Sequence, residues 1–186
     1  MSTTSYSFRH HLKADLVRFH QVFGGRVPDG IRFFAAMFSA RFFPVLLYRV
    51  AYDLAHRRLG PIAKLVSIVN FTFFGIEIGL RCPIGPGLIL PHTQGTVIGS
   101  TSIGANATIF QGVTLGAREL DADFDFSKRP VVGDNVVIGS GAKVLGGISI
   151  GDNVRIGANT VVLDSLPDGA LAVGAATRLI LAAEPG

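Results

Sequence analysis

Little in this chain of 186 residues carries charge or can be oxidised: Asp, Glu, Lys and Arg make up 16%, with one cysteine and no tryptophan. The single cysteine, Cys82, excludes an internal disulfide and fits a reducing cytoplasm. With no neighbouring histidine to activate it, Cys82 reads as a small buried hydrophobe, not a nucleophile. Scarce charge beside 48% hydrophobic residues excludes a disordered chain and predicts a packed core. Long apolar runs are missing too. Phe33 to Tyr52 is interrupted by Arg41, Pro44 and Arg49, and the short run from Leu65 to Ile78 carries Glu77. Neither reaches the roughly 18 uncharged residues of a spanning helix. The opening MSTTSYSFRHH lacks the apolar core of a signal peptide. The expectation is a cytoplasmic protein, with contact at the inner face of the membrane left open.

What charge there is lies unevenly. Residues 1–75 hold ten Lys/Arg against three Asp/Glu, and the rest holds seven against ten. The basic end suits anionic lipid, an anionic substrate or a partner, or is simply a solvated helical face. Two expectations follow for it. It packs as an oligomerisation cap that buries its phenylalanines, or it presents Arg41, Arg49, Arg57 and Arg58 to an anionic membrane surface. No nucleic-acid partner is expected.

Two regions follow from the periodicity. In residues 1–74, Phe8, Leu12, Leu16, Phe19 and Phe23 recur at helical steps. Gly24-Gly25 and Pro28-Asp29-Gly30 then punctuate the chain. A second helical segment is predicted from Ile31 to Arg58, bent or broken at Pro44, and a third from Ile62 to Phe74 after Gly60-Pro61. The stripe Phe33, Phe34, Phe38, Phe42 and Phe43 reads as core or interface packing.

Residues 75–186 obey another rule. Aliphatic residues stand six apart at Ile78, Ile84 and Leu90; after one extra residue they resume at Val97, Ile103, Ile109 and Leu115. Beyond a loop they continue at Val132, Ile138, Val144, Ile150, Ile156 and Val162. Glycine directly follows at 79, 85, 104, 133, 139, 151 and 157. A helix repeats at about 3.6 and a lone strand at about 2, so neither gives six. A chain that turns a corner every six residues does, with aliphatic residues inward and glycine where strain or crowding excludes Cβ. Three sides close one coil of a prism, the hexapeptide signature of a parallel β-helix. The starts identified make a little over four coils. The charged segment Ala117–Pro130 has no residue in register and reads as a loop extruded from the prism.

Of five histidines only His92 lies in the prism, in Leu90-Pro91-His92-Thr93-Gln94-Gly95, beside the slip in register. Irregular points in regular scaffolds are where function sits. Imidazole suits removal of a proton from an alcohol attacking a thioester, because its pKa lies near working pH. A carboxylate on its other nitrogen would fix the tautomer; Glu77 is the nearest acid preceding it in sequence. A zinc site on such a prism needs three imidazoles, so no metal is expected.

The stretches Phe74-Gly75-Ile76-Glu77-Ile78, Ile84-Gly85-Pro86-Gly87-Leu88, Pro91-His92 and Phe110-Gln111-Gly112-Val113-Thr114-Leu115-Gly116 resemble the serine acetyltransferase family of hexapeptide-repeat acyltransferases. Ile138-Gly139-Ser140-Gly141-Ala142-Lys143 and Gly174-Ala175-Ala176-Thr177-Arg178 match it as well. The resemblance implies a left-handed β-helix, assembly as a trimer or a dimer of trimers, and direct acetyl transfer from acetyl-CoA to a hydroxyl. It puts His92 on the general base and Glu77 on its paired acid. Ser140 and Ala158 fall on small positions of the pantetheine channel, and Arg178 on the CoA side. A backbone N–H near Gly112 or Gly116 is the expected oxyanion donor, and Arg118 and Arg129 are possible phosphate contacts.

The chain departs from the family at four points. The Asp that family members carry before the catalytic His is here Pro91, and a second family His is here Arg129. The helical region is about half the family's length, and the C-terminus Ala183-Glu184-Pro185-Gly186 lacks the Ile that docks into cysteine synthase. Proline offers an ammonium group neither charge nor side-chain hydrogen bond. The Pro-His-Thr-Gln-Gly form looks like the exopolysaccharide-biosynthesis branch. The leading expectation is therefore O-acetylation of a carbohydrate or polysaccharide precursor, with no docking to cysteine synthase. The alternative is L-serine, in which case another carboxylate, Asp121 or Asp123, replaces the missing Asp.

Overall fold

In the computed structural model, which describes residues 7–121 and 123–174, four helices precede a stack of short parallel strands. Helix α1 (Phe8–Gly24) forms where the apolar spacing requires it and stops where Gly25 takes a left-handed φ of 67°. The segment expected from Ile31 to Arg58 is not one helix. A short α2 (Ile31–Ala35) runs into a single 3-10 turn, and α3 (Phe43–His56) starts afresh, the two pieces meeting at 87°. Pro44 does not bend α3. It stands in the first turn, where its missing N–H breaks no helical bond. Pro61 plays the same part in α4 (Gly60–Phe74), so the helices are separated by Arg57–Leu59 and not by Gly60-Pro61. Among the described residues no single helix is long and apolar enough to cross a membrane. The phenylalanine stripe divides: Phe42 is fully buried and Phe33 packs against the core, whereas Phe34 and Phe38 are exposed.

The strands form three parallel sheets, one per face of a prism. The first face stacks β1 (Ile76–Ile78), β2 (Thr96–Ile98), β5 (Thr114–Gly116), β8 (Lys143–Leu145) and β11 (Val161–Val162). The second stacks β3 (Ser102–Ile103), β6 (Val131–Val132) and β9 (Ser149–Ile150), and the third β4 (Thr108–Ile109), β7 (Val137–Ile138), β10 (Arg155–Ile156) and β12 (Leu171–Ala172). Bridges at Ile84 and Leu166 extend the second face and one at Ile89 the third. The coil therefore runs past Val162, the last residue of the six-residue series.

The inward residues are those of the series, with one correction. Ile98, not Val97, fills the second rung: Ile98 is buried between Ile78 and Leu115, while Val97 faces out between Glu77 and Thr114. The chain thus inserts two residues between Leu90 and Ile98, then drops one before Ile103. The irregularity beside His92 is larger than the net slip suggests. Five of the seven glycines behind the aliphatic residues, all but Gly79 and Gly157, are explained by crowding, not strain. A Cβ on Gly104 would lie 2.6 Å from the backbone of Gly133 on the next coil. At the corner between the second and third faces the left-handed residues include Asn106, Asn135 and Asn153, with φ of 58°, 57° and 59°. Their side chains form a ladder, Asn106 Nδ2 donating to Asn135 Oδ1 at 3.0 Å and Asn135 Nδ2 to Asn153 Oδ1 at 3.2 Å.

A buried ion pair joins the helices to the prism. Arg49 of α3 donates to Asp15 of α1 at 2.8 and 3.1 Å, both side chains being fully buried. Asp15 also accepts from the N–H groups of Gly87 and Leu88, and Arg49 donates to the carbonyls of Ile84 and Gly85. Arg18 adds bonds to Ala107 O and Thr108 Oγ1. Arg49 therefore holds the first coil and is unable to face a lipid surface. Tyr48 Oη reaches Cys82 O at 2.8 Å, and burial pushes the Cys82 thiol up to about 12, the inert state expected of a packed cysteine.

Candidate active site

His92 sits in the turn that leads from the third face to the first, and the extra residues swing it outward. The turn hangs from the rung above: Thr93 Oγ1 donates to Phe74 O at 2.7 Å and Gly95 N to Gly75 O at 2.9 Å. Pro91 is buried while His92 is exposed. Each coil turns this edge on one left-handed residue, namely Gly75, Gly95, Gly112, Gly141 and Asn159. The residues just before them stack through Gly112 N to Gln94 O at 3.0 Å, Gly141 N to Gln111 O at 2.8 Å and Asn159 N to Ser140 O at 2.8 Å. Gln94, Gln111, Ser140 and Ala158 thus form one column below the His92 turn. Ser140 and Ala158, far apart in sequence, are brought to the edge that carries the imidazole.

Ser140 and Ala158 leave the lower edge free of bulk, and Gln111 Oε1 is buried without a hydrogen-bond partner, an acceptor matched to an amide N–H. The sequence reading missed Gln94 and Gln111 as members of this column. The signal was present, since each precedes a left-handed glycine, but only the stacking shows that these positions share an edge.

Other expected site residues lie elsewhere. Glu77 stands at the centre of β1, exposed, on the rung from which the His92 turn hangs, and makes no hydrogen bond to His92. The Gly112 N–H already donates to Gln94 O and to Thr96 Oγ1 at 3.1 Å, so it offers nothing to an oxyanion. Gly116 is buried at the far end of β5, away from the His92 edge, and pairs with Leu145. Arg178 lies outside the described residues, as do the C-terminal residues on which the cysteine synthase expectation rested.

Arg129 has a different task from phosphate binding. It anchors the extruded loop by donating to Asp121 at 3.0 and 2.9 Å and to Gly99 O at 3.0 Å, with its guanidinium 3.7 Å from the Phe124 ring centre. Asp121 also accepts from Asp125 N at 2.9 Å; that bond and the Arg129 guanidinium hold its carboxyl below the usual range. Asp125 is held low by Ser127, whose hydroxyl and backbone N–H both donate to it. At the root of the loop, Arg118 donates to the carbonyls of Leu145 and Leu163. With Lys128 it lines a hollow of about 420 Å³ against Gly146 and Gly147. A larger open cleft of about 620 Å³ lies between α4, β1 and the loop, lined by Lys64, Ile68, Phe71, Glu77, Arg81, Asp123 and Phe124 among others. Among the described residues no group of His, Cys, Asp and Glu is placed to hold a metal ion.

Comparison with known proteins places this geometry. Residues 129–164 match the family model described as bacterial transferase hexapeptide (six repeats). A serine acetyltransferase of Helicobacter pylori strain J99 is 47% identical over 137 residues, covering 73% of this chain and 78% of that protein. Among solved structures, serine acetyltransferase isoform 3 of Entamoeba histolytica in complex with cysteine superposes with a TM-score of 0.77 at 28% identity. That match covers 95% of this chain, which spans 62% of the Entamoeba structure's length. The Brucella abortus strain S19 serine acetyltransferase in complex with coenzyme A gives 0.75 at 28% identity, over 93% of this chain and 67% of that one. These neighbours share the left-handed β-helix behind N-terminal helices. They also correct the expectation of a carbohydrate acceptor and of the exopolysaccharide branch. That expectation leaned on four departures from the family and on the Pro-His-Thr-Gln-Gly form, whereas relatives 40–47% identical over most of this chain are serine acetyltransferases.

Proposed function

Because the chain belongs to the serine acetyltransferase family of hexapeptide-repeat acyltransferases, we propose that it transfers the acetyl group of acetyl-CoA to the hydroxyl of L-serine. It is an acetyl-CoA-dependent acetyltransferase by that membership. The observation that carries the reading onto these residues is the single edge on which the His92 turn, Gln111, Ser140 and Ala158 are stacked. Acetyl-CoA supplies an activated thioester. Ser140 and Ala158 give its pantetheine arm a smooth track, and Gln111 Oε1 accepts an amide N–H from it. The edge is open in a single chain, so a neighbouring copy in a trimer supplies the opposite wall, with Lys128 available to the CoA phosphates.

His92 takes the proton from the serine hydroxyl as its oxygen attacks the thioester carbonyl. The C–S bond breaks as the tetrahedral adduct collapses, and His92 returns the proton to the departing thiolate. No covalent enzyme intermediate forms. For Glu77 to act through His92 its side chain would have to turn from β1 toward the ring, where it would fix the tautomer and stabilise the imidazolium.

Thiol release from acetyl-CoA in the presence of L-serine tests the reading. The wild type is expected to turn over. His92→Ala is expected to lose about 10²–10⁴-fold in kcat, the usual worth of a general base, with the KM for acetyl-CoA little changed. Equal turnover by His92→Ala would remove its catalytic role.

A further inference from the structure

Helix α4 is folded inside out. Its inward side carries small and polar residues: Ala63 is fully buried, and Asn70 is buried with its Nδ2 donating to Pro44 O at 3.0 Å. Its outward side carries Ile62, Leu65, Ile68 and Phe71 at steps of three, with Phe73 beside them, each 50 to 72% exposed. Steps of three keep neighbouring side chains in touch along one face, so these residues form a continuous apolar strip and not scattered exposures. A helix packed only on its own protein does the reverse, burying its large apolar residues and leaving asparagine to water. Something apolar covers this face.

A second stretch shares the property. Ile31, Phe34 and Phe38, in α2 and the 3-10 turn after it, are exposed. Phe43, at the start of α3, packs its ring on Phe74 of α4 at 5.8 Å, so the two stretches approach each other there. The charge around them has one sign. No acidic residue occurs between Asp29 and Asp53 or between Asp53 and Glu77, and Asp53 is taken by Arg57 at 2.7 Å. Arg32 and Arg41 are exposed in and after the first stretch, and Arg58 and Lys64 before and within the second. A second copy of the chain would bring the same cations against these, with no acid from either helix to meet them. An anionic lipid surface supplies apolar depth and opposite charge together. Helix α4 is too short to cross it, since fifteen residues rise about 22 Å against a hydrocarbon core of about 30 Å.

We propose that this side of the cap docks on an anionic lipid surface, with α4 lying in the plane of the interface. Ile62, Leu65, Ile68 and Phe71 enter the acyl boundary, and Arg58 and Lys64 meet the headgroup phosphates. Ile31, Phe34 and Phe38 add a second contact. Arg49, bound to Asp15 inside the cap, takes no part. Docking sets where the enzyme sits and leaves its acceptor open.

Flotation of the full chain tests this, with vesicles of phosphatidylcholine alone and of phosphatidylcholine mixed with phosphatidylglycerol in roughly a three-to-one ratio. The wild type is expected to float with the anionic vesicles, to stay behind with the neutral ones, and to be released by high salt. Arg58→Gln with Lys64→Gln is expected to weaken binding roughly twentyfold, and Leu65→Ser with Ile68→Ser at least tenfold, to about the same order. All four side chains are exposed, and urea unfolding checks that both variants keep the fold. If the wild type floats with neither vesicle, or with both alike, the anionic surface is wrong. If it floats and the Leu65→Ser, Ile68→Ser variant floats equally well, the contact is not made by α4. If it does not float and light scattering shows that this variant lowers the mass of the assembly, a second copy covers α4 instead.

Discussion

The helical cap and the prism are held together by opposite means. In the prism each inward aliphatic residue meets equivalents on the coils above and below, as Ile138 does between Ile109 and Ile156, and the ladder repeats at every rung. Cohesion is spread over many similar contacts. The cap has no repeat, and its polar attachment to the prism centres on a buried pair, Asp15 with Arg49, reaching Ile84, Gly85, Gly87 and Leu88, with Arg18 and Tyr48 adding bonds beside it. A repetitive structure dilutes the effect of a single change; a keystone concentrates it.

The sharpest way to break that contrast is Asp15→Ala. It leaves the Arg49 charge buried and two N–H groups of the first coil unpaired, so it is expected to cost about 3–5 kcal/mol in urea unfolding. It should also split the transition, the cap melting before the prism. Replacing both partners, Asp15→Leu with Arg49→Met, should recover only part of the loss. The carbonyls of Ile84 and Gly85 and the N–H groups of Gly87 and Leu88 remain unsatisfied.

The matching change in the prism is Ile138→Val, which removes one buried methylene and is expected to cost only about 0.5–1.5 kcal/mol with a single unsplit transition. A cap variant that did not split the transition would show the two regions to be one cooperative unit.

The extruded loop gives the smallest and most local effect. The carboxyls of Asp121 and Asp125 lie below their ordinary value in the folded protein, so the stabilisation they give is fully present above that value. It is lost as pH falls through the lower folded values, in acid below about pH 4. Amide exchange over Phe124–Arg129 should quicken in that window while the prism amides stay protected. Asp121→Asn should show the faster exchange already at neutral pH.

Much of the prism was legible because its rule is local: an inward aliphatic every six residues, with glycine where the next coil crowds. The rule failed at Val97. A net slip of one residue hides an insertion of two followed by a deletion of one, and only pairing with Ile78 and Leu115 shows which side chain faces in. In the cap, Pro44 and Pro61 were read as breaks because proline ends helices as well as it begins them, and the sequence does not say which. At the site, His92 announced itself as the only prism histidine. Arg129 looked like a phosphate ligand, because a free guanidinium and one folded onto Phe124 and Asp121 have the same sequence signature.

By itself the sequence determined the six-residue coil, the helical region before it, the extruded loop and the histidine beside the irregular turn, since each depends on spacing along the chain. Only the tertiary structure decided that Gln94, Gln111, Ser140 and Ala158 share one edge, that Arg49 is a buried tie, and that Asp123 and not Asp121 opens onto the cleft beside Glu77. Those are relations between residues on different coils or different elements. Stacking and folding set such distances, and no local period records them.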